Sequence, residues 1–259
     1  MVFFLDFVSE SNMFDAVLLI VIGGVCGAIN TVAGGGSLLS LPLLIFVGVP
    51  PVMANATNRI GIVLQNVFAV SGFYQKKVNM LKFSMPLACS GLLGGGIGAY
   101  GALQLSDEQF KLVLIVVMII VAIVMMIDPT QRLHSTREKL DGRQWVYATV
   151  AFFFIGLYGG FIQAGVGLIS ITATTLINGM DLVKSNCVKV TVALCYALVS
   201  VVIFAYHGQI LFGHGISLGA GMAMGAWFMS RYSVKKGHAW VKKAVVCVII
   251  FMAIRLVFL

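Results

Sequence analysis

The chain has 259 residues, 60% of them hydrophobic and 10% charged, and a mean hydropathy of +1.03. This excludes a water-soluble domain, which carries about 25% charged residues, and also a disordered or a secreted disulfide-rich chain; it fits a polytopic membrane protein. Lys plus Arg number 17 against 9 Asp plus Glu, a net charge of +8. With no soluble basic module to bind nucleic acid, that excess reads as loop charge on the cytoplasmic side of a membrane.

In chain order, the N-terminus MVFFLDFVSESNMFD has no basic stretch, which argues against a cleaved signal peptide. Ten hydrophobic segments follow, at 14–31, 36–48, 52–74, 83–104, 109–127, 145–164, 167–179, 181–206, 215–232 and 239–258. Segments 36–48 and 167–179 fall short of the roughly 20 residues a full span needs. Each follows a Gly-rich break, AGGGS at 33–37 or AGVGL at 164–168. They are expected to be broken or re-entrant pieces, which survive in a membrane when buried in protein or lining a wet cavity.

Three basic clusters set the expected sidedness: Lys76, Lys77 and Lys82; Arg132, Arg137, Lys139 and Arg143; and Arg231, Lys235, Lys236, Lys242 and Lys243. Ten crossings put all three on one face, the cytoplasmic one. The N-terminus with Asp6, Glu10 and Asp15, the loop with Asp107 and Glu108, the loop from His207 to His214 and the C-terminus then lie outside. The five cysteines (Cys26, Cys89, Cys187, Cys195 and Cys247) are unclustered within apolar stretches and read as small buried hydrophobes.

An internal repeat is legible. A shift of 131 aligns Ala33 with Ala164, Gly34 with Gly165, Gly36 with Gly167, Gly48 with Gly179, Val52 with Val183 and Asn55 with Asn186. It continues through Phe73 with Phe204, Gly94 with Gly225 and Lys111 with Lys242. Upstream of the break the shift is 133, pairing Gly23 with Gly156, Gly27 with Gly160 and Asn30 with Gln163. Five segments per half invert the second half across the bilayer. The expected fold is therefore all-α and polytopic: a first repeat over 1–128, a cytoplasmic linker over 129–144 and an inverted second repeat over 145–259. Inverted repeats with broken segments at matching positions point to a secondary transporter with a midplane site; the alternative is an old duplication that serves packing alone.

Charge within a span is costly and marks function by default. Arg59 is the eighth residue of segment 52–74 and Lys189 the ninth of 181–206, roughly 10–12 Å along helices that enter from opposite faces. Snorkelling to the headgroups is the competing reading. Asn55, Asn58 and Arg59 share one helical face by their i, i+3, i+4 spacing, and Asn186 and Lys189 repeat the i, i+3 pattern. Amides and cations near a helix N-terminus suit an anion, and glycines 34–36 and 165–167 let backbone N–H groups approach a ligand. No Asp or Glu falls in a segment's interior, since Asp15, Asp107, Asp128 and Asp181 sit at segment edges, so an anion is expected over a cation. Gln65, Asn66, Gln163, Thr191 and Tyr196 are further candidate donors, or interhelical packing contacts.

Enzyme readings find no support. HExxH, a buried carboxylate pair, a Ser–His pair within a segment and Walker or Rossmann patterns are all absent, and His134, His207, His214 and His238 lie at loops or segment ends. No cofactor or metal site is implied. The sequence fixes no oligomeric state; a homodimer is kept as an expectation.

The order of motifs resembles the TauE/SafE sulfite exporter family, also called the domain-of-unknown-function 81 transporters. The likeness lies in GGVCGAINTVAGGGSLLSLPLLIFVGVPPVMANATNRIG at 23–61, GLYGGFIQAGVGLISITATTLINGMDLVKSNCVKV at 156–190 and GMAMGAWFMSRYSVKKG at 221–237. The resemblance implies a bacterial inner-membrane carrier of small sulfur-containing anions: sulfite, thiosulfate or organosulfonates. Carried onto this chain, the first-repeat positions are Gly34, Gly35, Gly36, Asn55, Asn58 and Arg59. The second-repeat positions are Gly165, Gly167, Asn186 and Lys189, with Gln163 just before them; Val166 stands where the family commonly has Gly. The expected partners are thus a small anion and the lipid bilayer. The competing function is a channel or permease for a neutral or cationic metabolite; a membrane assembly factor without flux is a third.

Overall fold

A computed structural model of the chain describes residues 13–127, 138–232 and 239–257. Asp6, Glu10, Asp128, Arg132, His134, Arg137, Lys235, Lys236 and His238 lie outside them, with most of the linker expected over 129–144. Among the described residues the regular structure is all helical. The first five helices are α1 (Met13–Ala33), α2 (Ser37–Phe46), α3 (Pro51–Gln75), α4 (Leu81–Ala102) and α5 (Asp107–Ile127). The next five are α6 (Gly142–Phe161), α7 (Val166–Asn178), α8 (Leu182–Tyr206), α9 (Phe212–Tyr232) and α10 (Ala239–Val257). Each corresponds to one of the ten hydrophobic segments.

Local chemistry sets the ends. Proline opens α3 at its first position, where a missing N–H leaves no bond unmade. The Asp181 carboxylate accepts from Val183 N and Lys184 N, both at 2.9 Å, and caps α8. α2 and α7 are the short ones, at 10 and 13 residues. Among the described residues, four helical stretches are long and apolar enough to cross a membrane: Met13–Thr31, Asp107–Met126, Gly142–Phe161 and Leu182–Tyr206. α3 has the length, at 25 residues, but Asn55, Asn58, Arg59, Gln65 and Asn66 dilute its apolar content. α4 and α9 have the length too, and are rich in glycine.

Those glycines govern the packing. A β-carbon on Gly23 or Gly27 would collide with the backbone of α9 at Leu218 or Met222, and one on Gly221 or Gly225 with α1 at Ile20 or Gly24. The same arrangement joins α4 and α6. Gly94 and Gly98 lie against Phe153 and Leu157, and Gly156 and Gly160 against Gly91 and Gly95. The matched approaches are therefore Gly94 with Gly221 and Gly98 with Gly225. This corrects the expected pairing of Gly94 with Gly225 by four residues, about one helical turn. Helix packing repeats every turn, so interface contacts, not sequence identity, choose among registers.

In each contact residue numbers rise together, so α1 runs parallel to α9 and α4 to α6. Gly219 against Gly61 and Gly72 against Ser230 make α3 parallel to α9; Gly91 against Val192 and Gly95 against Tyr196 make α4 parallel to α8. At one end of the bundle Val52 N donates to the Asp107 carboxylate at 2.8 Å and Leu211 N to Thr57 Oγ1 at 3.1 Å. At the other, Lys77 to Met80 face Asp181 to Lys184 across a cavity of about 430 Å³, and Asn178 Nδ2 donates to Lys139 O at 2.9 Å. Lys76, Lys77, Lys139 and Arg231 thus share this second end, as the segment count anticipates.

The cysteine expectation needs correcting. Cys26 and Cys187 are buried, but Cys89 and Cys247 are exposed. They sit on outward faces of helices that are apolar all round, where hydropathy does not distinguish inside from outside.

Candidate functional site

Two chain reversals meet in the middle of the bundle. After α1 the chain turns at Gly34, whose φ of +73° suits glycine. It then folds back so far that a β-carbon on Gly36 would collide with Cys26 and Asn30 of α1. After α6 it turns at Gln163 (φ +62°) and Gly165 (φ +75°) into α7. The two turns touch: a β-carbon on Gly34 would stand 2.5 Å from Gly167 C, and one on Gly167 2.5 Å from Gly34 Cα. Gly35 O accepts from Leu38 N at 3.1 Å as α2 begins, and Ser37 Oγ donates to Gln163 O at 3.1 Å, joining the two reversals.

Arg59 is fully buried. Its Nη1 donates to Gly159 O and to Gln163 Oε1, and its Nη2 to Gly160 O at 2.8 Å and Asn55 Oδ1 at 3.0 Å. Asn55 Nδ2 donates to Phe161 O at 2.9 Å. The last four carbonyls of a helix have no partner within it. Here Ile162 N takes Tyr158 O, Arg59 takes Gly159 O and Gly160 O, and Asn55 takes Phe161 O, so the end of α6 is fully satisfied. The Phe204 ring centroid lies 5.7 Å from the guanidinium carbon, and Gln163 Nε2 donates to Tyr196 Oη at 3.2 Å.

Lys189 is 4% exposed and does the same for α1. Its Nζ donates to Asn30 O at 2.7 Å, Thr31 O at 3.4 Å and Asn186 Oδ1 at 2.8 Å. Asn186 Nδ2 donates to Leu182 O at 3.0 Å, and Asn30 Nδ2 to Gln65 Oε1 at 3.0 Å. Each basic side chain thus points inward and binds the C-terminal end of a helix from the other half of the chain. A cation there offsets the negative end of the helix dipole.

The opposite helix ends have no such compensation. α2 and α7 begin at this junction, and neither has a capping side chain or an acidic residue in its first turn. Their positive ends meet where the two negative ends are already neutralised. Asn58 stands beside α2, where its Oδ1 accepts from Ser40 Oγ at 2.8 Å.

The main candidates fall in two adjoining groups; of the further donors, Tyr196 meets Gln163 of the first and Gln65 meets Asn30 of the second, whereas Asn66 meets only Gln65 and Thr191 Oγ1 donates to Cys187 O of its own helix. Asn55, Asn58, Arg59 and Gln163 gather at the end of α6 and the start of α2, and Asn186 and Lys189 at the end of α1. Gly34, Gly35, Gly36, Gly165 and Gly167 form the turns between. The charge arrangement differs from the expected one. The cations lie against carbonyl oxygens, and the helix N-termini at the junction belong to α2 and α7, not to the helices that carry the cations. Ser37 and Ser40 were missed; their signal is the i, i+3 spacing that starts at the last residue of AGGGS.

The chain matches the family described as "Sulfite exporter TauE/SafE" over residues 19–256. It is similar to a probable membrane transporter protein of Haemophilus influenzae, 25% identical over 241 residues that cover 93% of this chain and 94% of that one. It is also similar to the probable membrane transporter protein ORF9 of a Sinorhizobium species, 24% identical over 238 residues, 92% of this chain and 90% of the relative. A third relative, the probable membrane transporter protein YfcA of Escherichia coli, is 22% identical over 241 residues, 93% of this chain and 89% of its own length. No solved structure matches the chain.

Proposed function

The chain belongs to the TauE/SafE sulfite exporter family, a family of membrane transporters, and from that premise we propose that it is a secondary carrier of small sulfur-containing anions. Sulfite, thiosulfate and organosulfonates are the substrate class, and the central junction is where they bind. One observation carries the reading: two helix N-termini meet beside two buried cations, and no Asp or Glu is among the site residues. Anions are drawn to such helix ends by aligned N–H groups and by the dipole.

The carrier is two inverted repeats, 1–128 and 145–259, joined by a cytoplasmic linker over 129–144. α1 with α2, and α6 with α7, are re-entrant hairpins whose tips meet near the midplane. The reciprocal contacts of α1 with α9 and of α6 with α4 support this, as do the reciprocal grips of Arg59 on α6 and Lys189 on α1. Access alternates as one half rocks against the other about the glycine turns. The basic end of the bundle faces the cytoplasm of a bacterial inner membrane, both termini lie outside it, and the chain performs no catalysis. Where it dimerises, each copy carries its own complete site.

Purified protein in liposomes tests the reading. Radiolabelled sulfite or a simple alkanesulfonate should cross in protein-dependent fashion, and Arg59→Ala should abolish the flux. Ligand that binds the folded form raises its melting temperature. Stabilisation by amines or metal ions, with none by sulfite, thiosulfate or sulfonates, would favour a permease for neutral or cationic metabolites and overturn the anion reading.

A further inference from the structure

Three buried N–H donors on α3 have no acceptor, Asn58 Nδ2, Arg59 Nε and Asn66 Nδ2; the first two belong to neighbouring side chains at the junction that are 0% exposed. Buried donors are nearly always paired, and each one left unpaired is destabilising. Asn58 is fastened to α2 directly, and Arg59 only by way of Gln163. Asn58 is held through its Oδ1 by Ser40. Arg59 is held by Gln163, whose carbonyl oxygen takes the Ser37 hydroxyl. Ser37 and Ser40 lie one turn apart at the start of α2, so that turn contacts Asn58 directly and Arg59 through Gln163. It has no capping side chain, and its Leu38 N and Leu39 N donate to Gly35 O and Gly36 O.

The other half differs. The Lys189 ammonium has three N–H donors and meets three acceptors. The Asn186 amide is used at both ends. Asn58 and Arg59 each keep a donor over, whereas the Lys189 ammonium keeps none; the third unpaired donor, Asn66 Nδ2, belongs to the amide whose oxygen accepts from Gln65.

We propose that the substrate oxyanion is seated at the N-terminus of α2, accepting hydrogen bonds from Asn58 Nδ2 and Arg59 Nε, and that Lys189 is a positioning residue that holds the end of α1 without touching the anion. The seat rests on the anion-carrier reading above. An oxyanion satisfies both orphan donors and the positive helix end together, whereas a metal ion or an amine satisfies neither.

Sulfite binding to the purified, detergent-solubilised full chain tests the seat, by titration calorimetry beside unliganded melting curves. Asn58→Ala removes the donor without changing charge and should weaken sulfite binding about ten- to a hundredfold, as expected for one hydrogen bond to an anion. Asn58→Asp keeps an oxygen for Ser40 but turns an acceptor toward the anion and should abolish binding. Lys189→Met should lower the unliganded melting temperature and weaken sulfite binding by less than Asn58→Ala does. Wild-type affinity in both Asn58 variants, or loss of affinity in Lys189→Met alone, would overturn the seat while leaving the carrier reading intact. Failure of the wild-type protein to bind sulfite, thiosulfate or an alkanesulfonate would defeat both. Should the variants not fold, anomalous density from selenite bound to the wild-type protein decides: a peak between Asn58 and Arg59 supports the seat, and a peak at Lys189 alone refutes it.

Discussion

Gly34 and Gly167 lie backbone against backbone, so close that a β-carbon on Gly34 would stand 2.5 Å from the Gly167 carbonyl carbon. Since backbone cannot move aside as the tip of a flexible side chain can, the contact fixes both residues as glycine. Gly34→Ala combines this clash with a strained positive φ and should destabilise the protein by more than about 3 kcal/mol. Gly48→Ala is the control. Its φ is +91°, but nothing lies within 4 Å of the added atom, so strain alone remains, about 1–2 kcal/mol. Monodisperse yield and melting temperature of the two variants check the difference; equal behaviour would contradict it.

Arg59→Lys is expected to fail as a conservative change. A lysine offers one compact donor group and cannot reach Gly159 O, Gly160 O, Gln163 Oε1 and Asn55 Oδ1 together. Two or more buried acceptors are then left open, and the loss should be about 2–4 kcal/mol, read as a lower melting temperature. Wild-type stability in this variant would mean that the guanidinium does not hold the end of α6.

Tyr196→Phe removes the oxygen that accepts from Gln163 Nε2 and leaves that buried amide short of a partner. The expected loss is about 1–2 kcal/mol, with slower sulfite flux in liposomes because Gln163 also positions Arg59. Flux equal to wild type would separate Tyr196 from the site.

Glu138→Gln probes the opposite case. The Glu138–Lys184 ion pair, at 2.5 Å, joins side chains that are 29% and 37% exposed. Partly exposed pairs are screened by solvent, so stability should change by less than about 1 kcal/mol. A larger drop in melting temperature would show that this contact anchors the segment before α6.

The helices themselves were legible in the sequence. Apolar runs interrupted by AGGGS and AGVGL gave ten segments that match α1–α10, because a chain in lipid must satisfy its backbone within each segment. The residues of the central junction were legible for the same reason: Asn55, Asn58, Arg59, Asn186 and Lys189 are too polar to sit in apolar segments without a role. The exposure of Cys89 and Cys247 was not, since a helix that is apolar all round hides which face turns outward.

What the sequence determined by itself was composition, segment boundaries, the places where the chain must break and the charges that fall within apolar segments. Tertiary structure alone decided what those charges hold. Arg59 and Lys189 bind carbonyl oxygens of α6 and α1, and carbonyls are common to every residue, so no residue type marks them as partners. The same holds for the one-turn register between Gly94 and Gly221: helix surfaces repeat every turn, and only the close approach of two backbones selects which turn is used.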